Sequence, residues 1–595
     1  MESILREIIN LLSTSSQVDQ KSISQIIYKH NKNVFDNSKH IAKKHLMPFY
    51  LQHKDLFNLS KEEEQRLAAA IKVKPTRTAS GVATITVITK PWTCSSACLY
   101  CPNDVRMPKS YLHDEPACQR AERNFFDPYL QVSARLKTLT EMGHTTDKIE
   151  LIVLGGTWTD YPFEYQTWFM HELFKALNDF GGNEDLIAER RAFYEECGLT
   201  YNRDILQEKC ASAQSSVDAH EMTFNEAIKS LYFENDAWKT AAKFQTASMD
   251  DLFVQHKKNE DAKHRVVGLV IETRPDCITA KTLRNLRLFG CTKIQVGIQS
   301  VRNDILKMNN RNLNAKRIEQ AFSLLRIFGF KIHSHFMVNL LGMTPQEDKK
   351  DFHNFVNDKR FLPDEIKLYP CSLISGTELC KYYESGQWRP YTEEELLDVL
   401  SCDVVETKPY ARISRMIRDF SAGDIVVGNK KGNLRQLVEN NIARAGGKVD
   451  EIRYREISLS KLDINDISLN VYEYETCASK EFFLQWLNAE GKIIGFLRLS
   501  FPDKDFLASL GESSPVALDE AMIREVHVYG KVAGIGSGDS GTQHLGLGKQ
   551  LVEKACQLAC DAGYKKLNVI SSVGTRNYYR SLGFKDTELY LCKKL

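Results

Sequence analysis

The spacing of apolar residues changes character along the chain. From Val82, "VATITVIT" is a β-branched run of the right length for one buried strand. Five runs of the same kind follow: "KIELIVLGG" (148–156), "RVVGLVIET" (265–273), "TKIQVGIQS" (292–300), "FKIHSHFMV" (330–338) and "DEIKLYP" (364–370). Between most of them lie segments with apolar positions three and four apart, such as "NAKRIEQAFSLLRIFG". Apolar strands alternating with amphipathic helices predict parallel βαβ units, and six of them predict a partial (β/α)6 barrel within an α/β protein. Loops that carry chemistry in such a barrel follow the C-terminal ends of its strands.

The flanking segments follow other patterns. Residues 1–75 read as a helical N-terminal extension rich in lysine. Its opening, "MESILREIINLLSTSSQ", sets Glu2, Arg6 and Glu7 among apolar residues, which predicts an amphipathic helix rather than a secretion signal. The barrel is expected over 76–390, interrupted by a polar, largely helical insertion at about 180–262. Residues 391–450 read as a linker region, and a second α/β pattern occupies 451–595. There "AMIREVHVYG" predicts a strand. "QHLGLGKQLVEKACQLACDAG" predicts a helix burying Leu551, Val552, Ala555, Cys556 and Ala559.

Composition narrows the class. A chain of 595 residues with 43% hydrophobic content and a formal net charge of +2 is an ordinary globular protein built as several units. It has no apolar run of about eighteen residues, so no membrane span is expected. Its 15 cysteines are odd in number and mostly isolated, which predicts reduced thiols and a cytoplasmic location.

Three of those thiols stand out. In "KPWTCSSACLYCPND", Cys94, Cys98 and Cys101 follow the first strand with no histidine or fourth cysteine beside them. Structural zinc takes a closed set of four ligands and a disulfide takes two. Three thiolates with this spacing fit a [4Fe–4S] cluster whose fourth iron is left for S-adenosylmethionine, with electron transfer to the sulfonium generating a radical. A partial zinc site and three unrelated thiols are the alternatives. Polar groups recur at the next strand ends: Gly155, Gly156 and Thr157 in "LGGT", Glu272 and Arg274 in "IETRPD", Gln299 in "GIQS", and Arg311 in "NNRN". Singly each is an ordinary turn or hydrogen-bonding residue. Their recurrence predicts a cofactor site that binds ribose hydroxyls and a carboxylate.

Near the C-terminus, Gln543, Gly546 and Gly548 form Q-x-x-G-x-G at a helix start, within the loop Gln543, His544, Leu545, Gly546, Leu547, Gly548 and Lys549. Backbone amides approached through glycine bind pyrophosphate. With "LNVISSVGTRNYYRSLGF" behind it, the module resembles the acetyltransferase fold of the GNAT superfamily. That resemblance implies acetyl-CoA on this loop and at Asn577, Tyr578 and Tyr579, with Tyr579 protonating the departing thiolate. Aromatic packing is the plainer role for both tyrosines. Cys556 and Cys560 read as core thiols and His527 as strand packing.

A barrel with this triplet followed by a GNAT domain resembles the catalytic subunit of Elongator and its stand-alone relatives. The resemblance is carried in order by "KPTRTASGVATITV", "CLYCP", "DKIELIVLGGT", "VIETRPD", "GCTKIQVGIQS", "EIKLYP", "GNLRQL", "EIRYREI", "IREVHVYG" and "SVGTRNYYRSLGF". It implies a radical-SAM tRNA-modifying acyltransferase that forms 5-carboxymethyluridine at the wobble position, uridine 34, from acetyl-CoA. It also implies that Lys367 and Tyr369 face the substrate. The two alternate with Leu368 on one side of a strand. The short first cysteine spacing, "PND" after the triplet and Asn339 depart from the pattern of many relatives.

The implied partner is a tRNA anticodon stem-loop, with Elongator-like accessory subunits or a second copy of the chain beside it. Lys39, Lys43, Lys44, Lys72, Lys74 and Arg77, then Arg412, Arg415, Arg418, Lys430 and Lys431, are the expected phosphate contacts. Tyr100 and Tyr369 are candidate stacking partners for splayed bases. On charge alone the basic residues are ordinary surface. Two other readings compete: a protein lysine acetyltransferase with a structural Fe–S barrel, and a catalytically silent tRNA-binding scaffold.

Overall fold

The computed structural model describes residues 1–14, 19–32, 34, 40–73, 78, 80–457, 466–529 and 546–595. Six parallel strands follow the predicted runs: β1 (Ala83–Ile88), β2 (Lys148–Leu154), β3 (Arg265–Thr273), β4 (Lys293–Gln299), β5 (Lys331–Val338) and β6 (Glu365–Pro370). Three further short strands follow, two of them in the segment expected as a linker. Leu373–Ile374 (β7) pairs antiparallel with Ile425–Val427 (β9), and Arg412–Arg415 (β8) joins β6 in parallel as the seventh strand of the barrel sheet. β8 escaped the sequence pattern because "RISR" buries only Ile413 completely.

The layer outside the sheet is apolar. Phe169, Leu173 and Phe174 from the helix Phe163–Asp179 pack on it, as do Phe322 and Leu325 from the helix Ala315–Ile327. Caps set the entry of such helices: Asn314 accepts from the Arg317 N–H, and Thr344 with Glu347 closes a capping box on Pro345–Asn357. The insertion is helical, as expected, over Glu184–Glu196, Arg203–Asp218, Phe224–Ile228, Asp236–Ala242 and Met249–Asn259. The N-terminal helices Glu2–Thr14, Gln20–Asn31, Leu46–Gln52 and Lys61–Ile71 share their own core of Ile4, Leu5, Ile8, Leu46 and Leu67. None of the described helices is long and apolar enough to cross a membrane.

The second module is a sheet in the order β10-β11-β12-β13-β14-β16-β15. Its strands are β10 (Ser468–Glu475), β11 (Ser479–Leu487), β12 (Ile493–Pro502), β13 (Glu520–Val528), β14 (Lys566–Val569), β15 (Lys585–Asp586) and β16 (Leu591–Lys594). Only β13 and β14 run parallel, and the helix Leu547–Asp561 packs beside them through Leu551, Val552, Ala555 and Ala559. Cys556 is half-buried rather than fully buried, and Cys560 is exposed.

This module docks on the N-terminal ends of the barrel strands. Arg524 donates to both oxygens of Asp364, at 2.8 and 2.7 Å, and to the Phe330 carbonyl at 2.9 Å. Ser572 donates to the Val267 carbonyl at 2.6 Å, and Lys331 pairs with Glu525 at 2.5 Å. The pairs continue inward through Lys331–Glu365 (2.6 Å) to Lys293, which meets Glu365 at 3.4 Å and Glu150 at 2.9 Å. Buried charges are held only where each meets a partner, so the network fixes the orientation of one module on the other.

Candidate active site

The C-terminal ends of the barrel strands surround a cavity enclosing ≈ 1090 Å³, part of it open to solvent. The loop after β1 brings Cys94, Cys98 and Cys101 to its wall. That loop is clamped by distant segments. The Leu99 N–H donates to the Asn309 carbonyl at 3.3 Å, and the Leu379 N–H donates to the Leu99 carbonyl at 3.0 Å. Asn225 of the insertion bonds both backbone groups of Cys94, and Gln214 accepts from the Val105 N–H at 2.9 Å. Holding the cysteine loop is a role for the insertion that the sequence did not disclose.

The thiols sit in an electropositive setting. An Arg311 N–H reaches the Cys98 sulfur at 3.3 Å. A hydrogen bond from Cys101, with the Arg311 charge, holds the Cys98 thiol well below its ordinary value; the same bond pushes Cys101 up. Among the described residues, no three Cys, His, Asp or Glu side chains converge to hold a single metal ion. Three thiols spread along one wall, with a cationic neighbour and no fourth thiol in the cavity, fit a [4Fe–4S] cluster in which each takes a different iron.

The expected cofactor residues all reach this cavity: Gly155, Gly156, Thr157, Glu272, Arg274, Gln299 and Arg311 line it. Gly155, at φ +146°, has no room for a side chain because a methyl there would overlap Thr89. Arg274 donates to Ser95 Oγ at 2.8 Å, tying β3 to the cysteine loop. A methyl on Gly297 would lie 3.1 Å from the Gln299 amide and 3.6 Å from Arg311, so this glycine lets both side chains fold over the strand.

Lys367 and Tyr369 face the cavity together. Burial pulls Lys367 down to about 8, and its ammonium donates to Gln295. His335, which sequence reasoning passed over, lines the same wall and meets Gln295 at 3.1 Å and Glu272 at 3.6 Å. Burial, then the charge of Lys367, keeps its imidazole well below the ordinary range and therefore neutral. Tyr111 was also missed; its hydroxyl donates to Glu272 at 2.9 Å. Tyr100 lines the cavity with its hydroxyl buried and without a partner among the described residues.

The basic residues after the barrel are not a uniform surface. Arg412 is engaged by Glu456 and by the Tyr529 hydroxyl, 3.3 Å away, at the module interface. Arg415 and Arg418, expected as surface phosphate contacts, line the cavity instead, because β8 is a barrel strand whose C-terminal end opens there. Lys431 pairs with Glu393 at 2.6 Å, and Lys430 has no cavity role. Lys43 and Lys44 lie in a 3-10 turn just before the helix Leu46–Gln52, and Lys72 follows the end of Lys61–Ile71; Lys39, Lys74 and Arg77 fall outside the described residues.

In the second module, Gln543, His544 and Leu545 also fall outside the described residues. Gly546 caps the helix Leu547–Asp561 at φ +70°, a left-handed turn suited to glycine. A methyl on Gly548 would lie 3.0 Å from the Tyr578 hydroxyl, so Tyr578 is the tyrosine that approaches the loop. Tyr579 packs against Phe584 at 5.8 Å and is buried, which raises its phenol. Lys549 faces Glu553 on the helix surface. Asn577 donates to Asp261 at 2.8 Å and accepts from Arg580 at 2.6 Å, so its amide is spent on the module contact.

Comparison with known proteins bears on both modules. The Radical SAM superfamily model matches residues 244–354, the Radical_SAM C-terminal domain 363–444, and the Acetyltransferase (GNAT) family 453–584. A "tRNA uridine(34) acetyltransferase" of Methanocaldococcus infernus is 32% identical over 552 residues, covering 90% of each chain. "Elongator complex protein 3" of Danio rerio is 31% identical over 548 residues, 89% of this chain and 87% of its own. The solved structure of the M. infernus Elp3 with residues 1–46 deleted superposes with a TM-score of 0.66 at 30% identity, covering 87% of this chain and 100% of that one.

Proposed function

We infer the reaction from one premise: the chain belongs to the family of the tRNA uridine(34) acetyltransferases and Elongator complex protein 3. It is a radical-SAM acyltransferase acting on the wobble uridine of tRNA, with a [4Fe–4S] cluster, S-adenosylmethionine and acetyl-CoA. The product of our proposal is 5-carboxymethyluridine. The observation that carries it is the joining, in one charge-locked body, of a three-thiol cavity and a glycine-capped acyl-donor helix.

Cys94, Cys98 and Cys101 would hold the cluster. Gly155, Gly156, Thr157, Glu272, Arg274, Gln299 and Arg311 would orient S-adenosylmethionine. When bound, these groups supply the one-electron, hydrogen-abstracting chemistry that activates the methyl group of acetyl-CoA. The hydrogen bond from Cys101, then the charge of Arg311, favours the thiolate form of Cys98. Lys367 and Tyr369 orient the uracil ring, and His335, being neutral, offers it a hydrogen bond without adding charge. The amides at Gly546, Leu547, Gly548 and Lys549, continuing from Gln543, His544 and Leu545, hold the pyrophosphate. Tyr579, expected to give its proton to the thiolate of CoA, would have to do so from the module core, whereas the Tyr578 hydroxyl stands at the glycine loop and is the better placed donor.

Lys39, Lys43, Lys44, Lys72, Lys74 and Arg77 fit phosphate contacts along the stem, which makes binding fall steeply with salt. Accessory subunits or a second copy of the chain, and a cytoplasmic site of action, complete the proposal. The test is nucleoside mass spectrometry of tRNA incubated anaerobically with reduced protein, S-adenosylmethionine and acetyl-CoA. Carboxymethyluridine at position 34 is expected. Acetyl-lysine on protein with unmodified tRNA would replace this reading with the lysine acetyltransferase.

A further inference from the structure

The chain after β8 turns back over the cavity and brings Arg418 to its wall. This half-buried guanidinium donates to the Ser110 carbonyl at 2.5 Å. It lies 5.8 Å from the Tyr111 ring centre and 4.3 Å from that of Phe420, and these contacts fix the plane of its fork. Arg415 beside it is paired with Asp419 at 2.5 Å, whereas Arg418 makes no ion pair among the described residues. Lys367 stands on the same wall, and it too has a neutral partner, Gln295. Glu115, Glu272 and Asp419 line the same cavity, and Glu115 acts on Arg418 and Glu272 on Lys367 through space, but neither carboxylate comes within ion-pair distance of these two cations. The two cations of this corner therefore have carboxylates nearby but no directly paired anion.

We propose that Arg418, backed by Lys367, is an oxyanion subsite for the target nucleotide, filled by the carboxylate of its new carboxymethyl arm or by its own phosphate. The proposal rests on the wobble-uridine reading above. Uracil and an acetyl thioester are both neutral. Hydrolysis of the thioester puts the oxygen of water on the acyl carbon, breaks the C–S bond and releases CoA as its thiol. The arm is left as a carboxylate and one proton goes to solvent. A negative charge thus appears only late in the reaction. A fixed guanidinium fork matches a carboxylate with two parallel hydrogen bonds and favours the state that carries the charge.

The test uses the full chain and three anticodon stem-loops whose uridine 34 carries a carboxymethyl arm, its neutral carbamoylmethyl isostere, or no arm. Binding is read by fluorescence anisotropy for wild type, Arg418→Met and Arg418→Lys. Wild type is expected to prefer carboxymethyl over carbamoylmethyl by about tenfold, the scale of one charge-assisted pair. Arg418→Met should lose that preference, and Arg418→Lys, which keeps the charge without the fork, should keep part of it. If wild type shows no preference but Arg418→Met weakens all three stem-loops equally, the subsite holds phosphate. Variants that bind all three as wild type does would overturn the subsite. Wild type that binds no stem-loop would overturn the wobble-uridine reading itself.

Discussion

Asn225 holds Cys94 by both of its backbone groups: the side-chain carbonyl accepts from the Cys94 N–H at 2.9 Å, and the amide donates to the Cys94 carbonyl at 3.0 Å. The two residues are 131 positions apart. The grip makes the insertion part of the cysteine loop.

Asn225→Ala removes two hydrogen bonds, each worth about 1 kcal/mol net. The variant should bind iron and sulfide under anaerobic reconstitution but lose them in air roughly tenfold faster than wild type. Iron assays over time check this. Equal lifetimes would show the clamp to be dispensable. Cys98→Ser, by contrast, should abolish tRNA modification outright.

Asp364 stands among Arg524 at 2.7 Å, Arg498 at 3.3 Å and Arg326 at 4.0 Å, all of them buried. Asp364→Asn would leave these guanidiniums under-compensated and should cost about 3–5 kcal/mol, read as a lowered denaturation midpoint. Burial opposes ionisation of this carboxyl, but the arginines outweigh it and hold it well below the usual carboxylate range. The stability it contributes is therefore present above the ordinary aspartate value, about 4, and is lost only as pH falls through the depressed folded value.

Lys367 has the opposite sign. Its folded value, about 8, lies below the ordinary 10.5, so between those limits the unfolded chain binds more protons and stability rises with pH. The burial penalty is fully present below about pH 8. Lys367→Met should thus stabilise the fold by roughly 3 kcal/mol at pH 7, with the gain vanishing above about pH 10.5, while modification is lost. Melts across pH check it; a gain that does not depend on pH would contradict a lowered lysine.

Gly548→Ala separates binding from folding. Alanine favours a helix over glycine by up to about 1 kcal/mol, so the melting temperature should hold or rise. Acetyl-CoA binding should nevertheless fall about tenfold, because the methyl meets the Tyr578 hydroxyl at 3.0 Å. Adding Tyr578→Phe should restore part of the affinity, measured by calorimetry as a double-mutant cycle. No restoration would place the clash elsewhere.

What the sequence disclosed was local chemistry. Cys94, Cys98 and Cys101 are ligand-spaced on one loop, and Gly155, Glu272 and Gln299 mark the ends of runs whose apolar pattern is unmistakable. What it hid depends on contacts between distant segments. Asn225 and Gln214 lie in a polar helical stretch that looks like any solvated surface. Arg418 reads as surface charge until the short strand β8 is known to complete the sheet. Tyr578 and Tyr579 are adjacent, and only tertiary packing separates the one at the glycine loop from the one in the core.

The acyl-donor module meets the barrel at the strand starts, near Arg412 and Lys331, while the cysteines sit beyond the strand ends. The six steps from Lys331 to Met337 along β5 cover roughly 20 Å. The barrel is thus a spacer of set depth between supply and use. An acetyl donor seated on the second module would have to reach across or around roughly that depth to meet the cysteines.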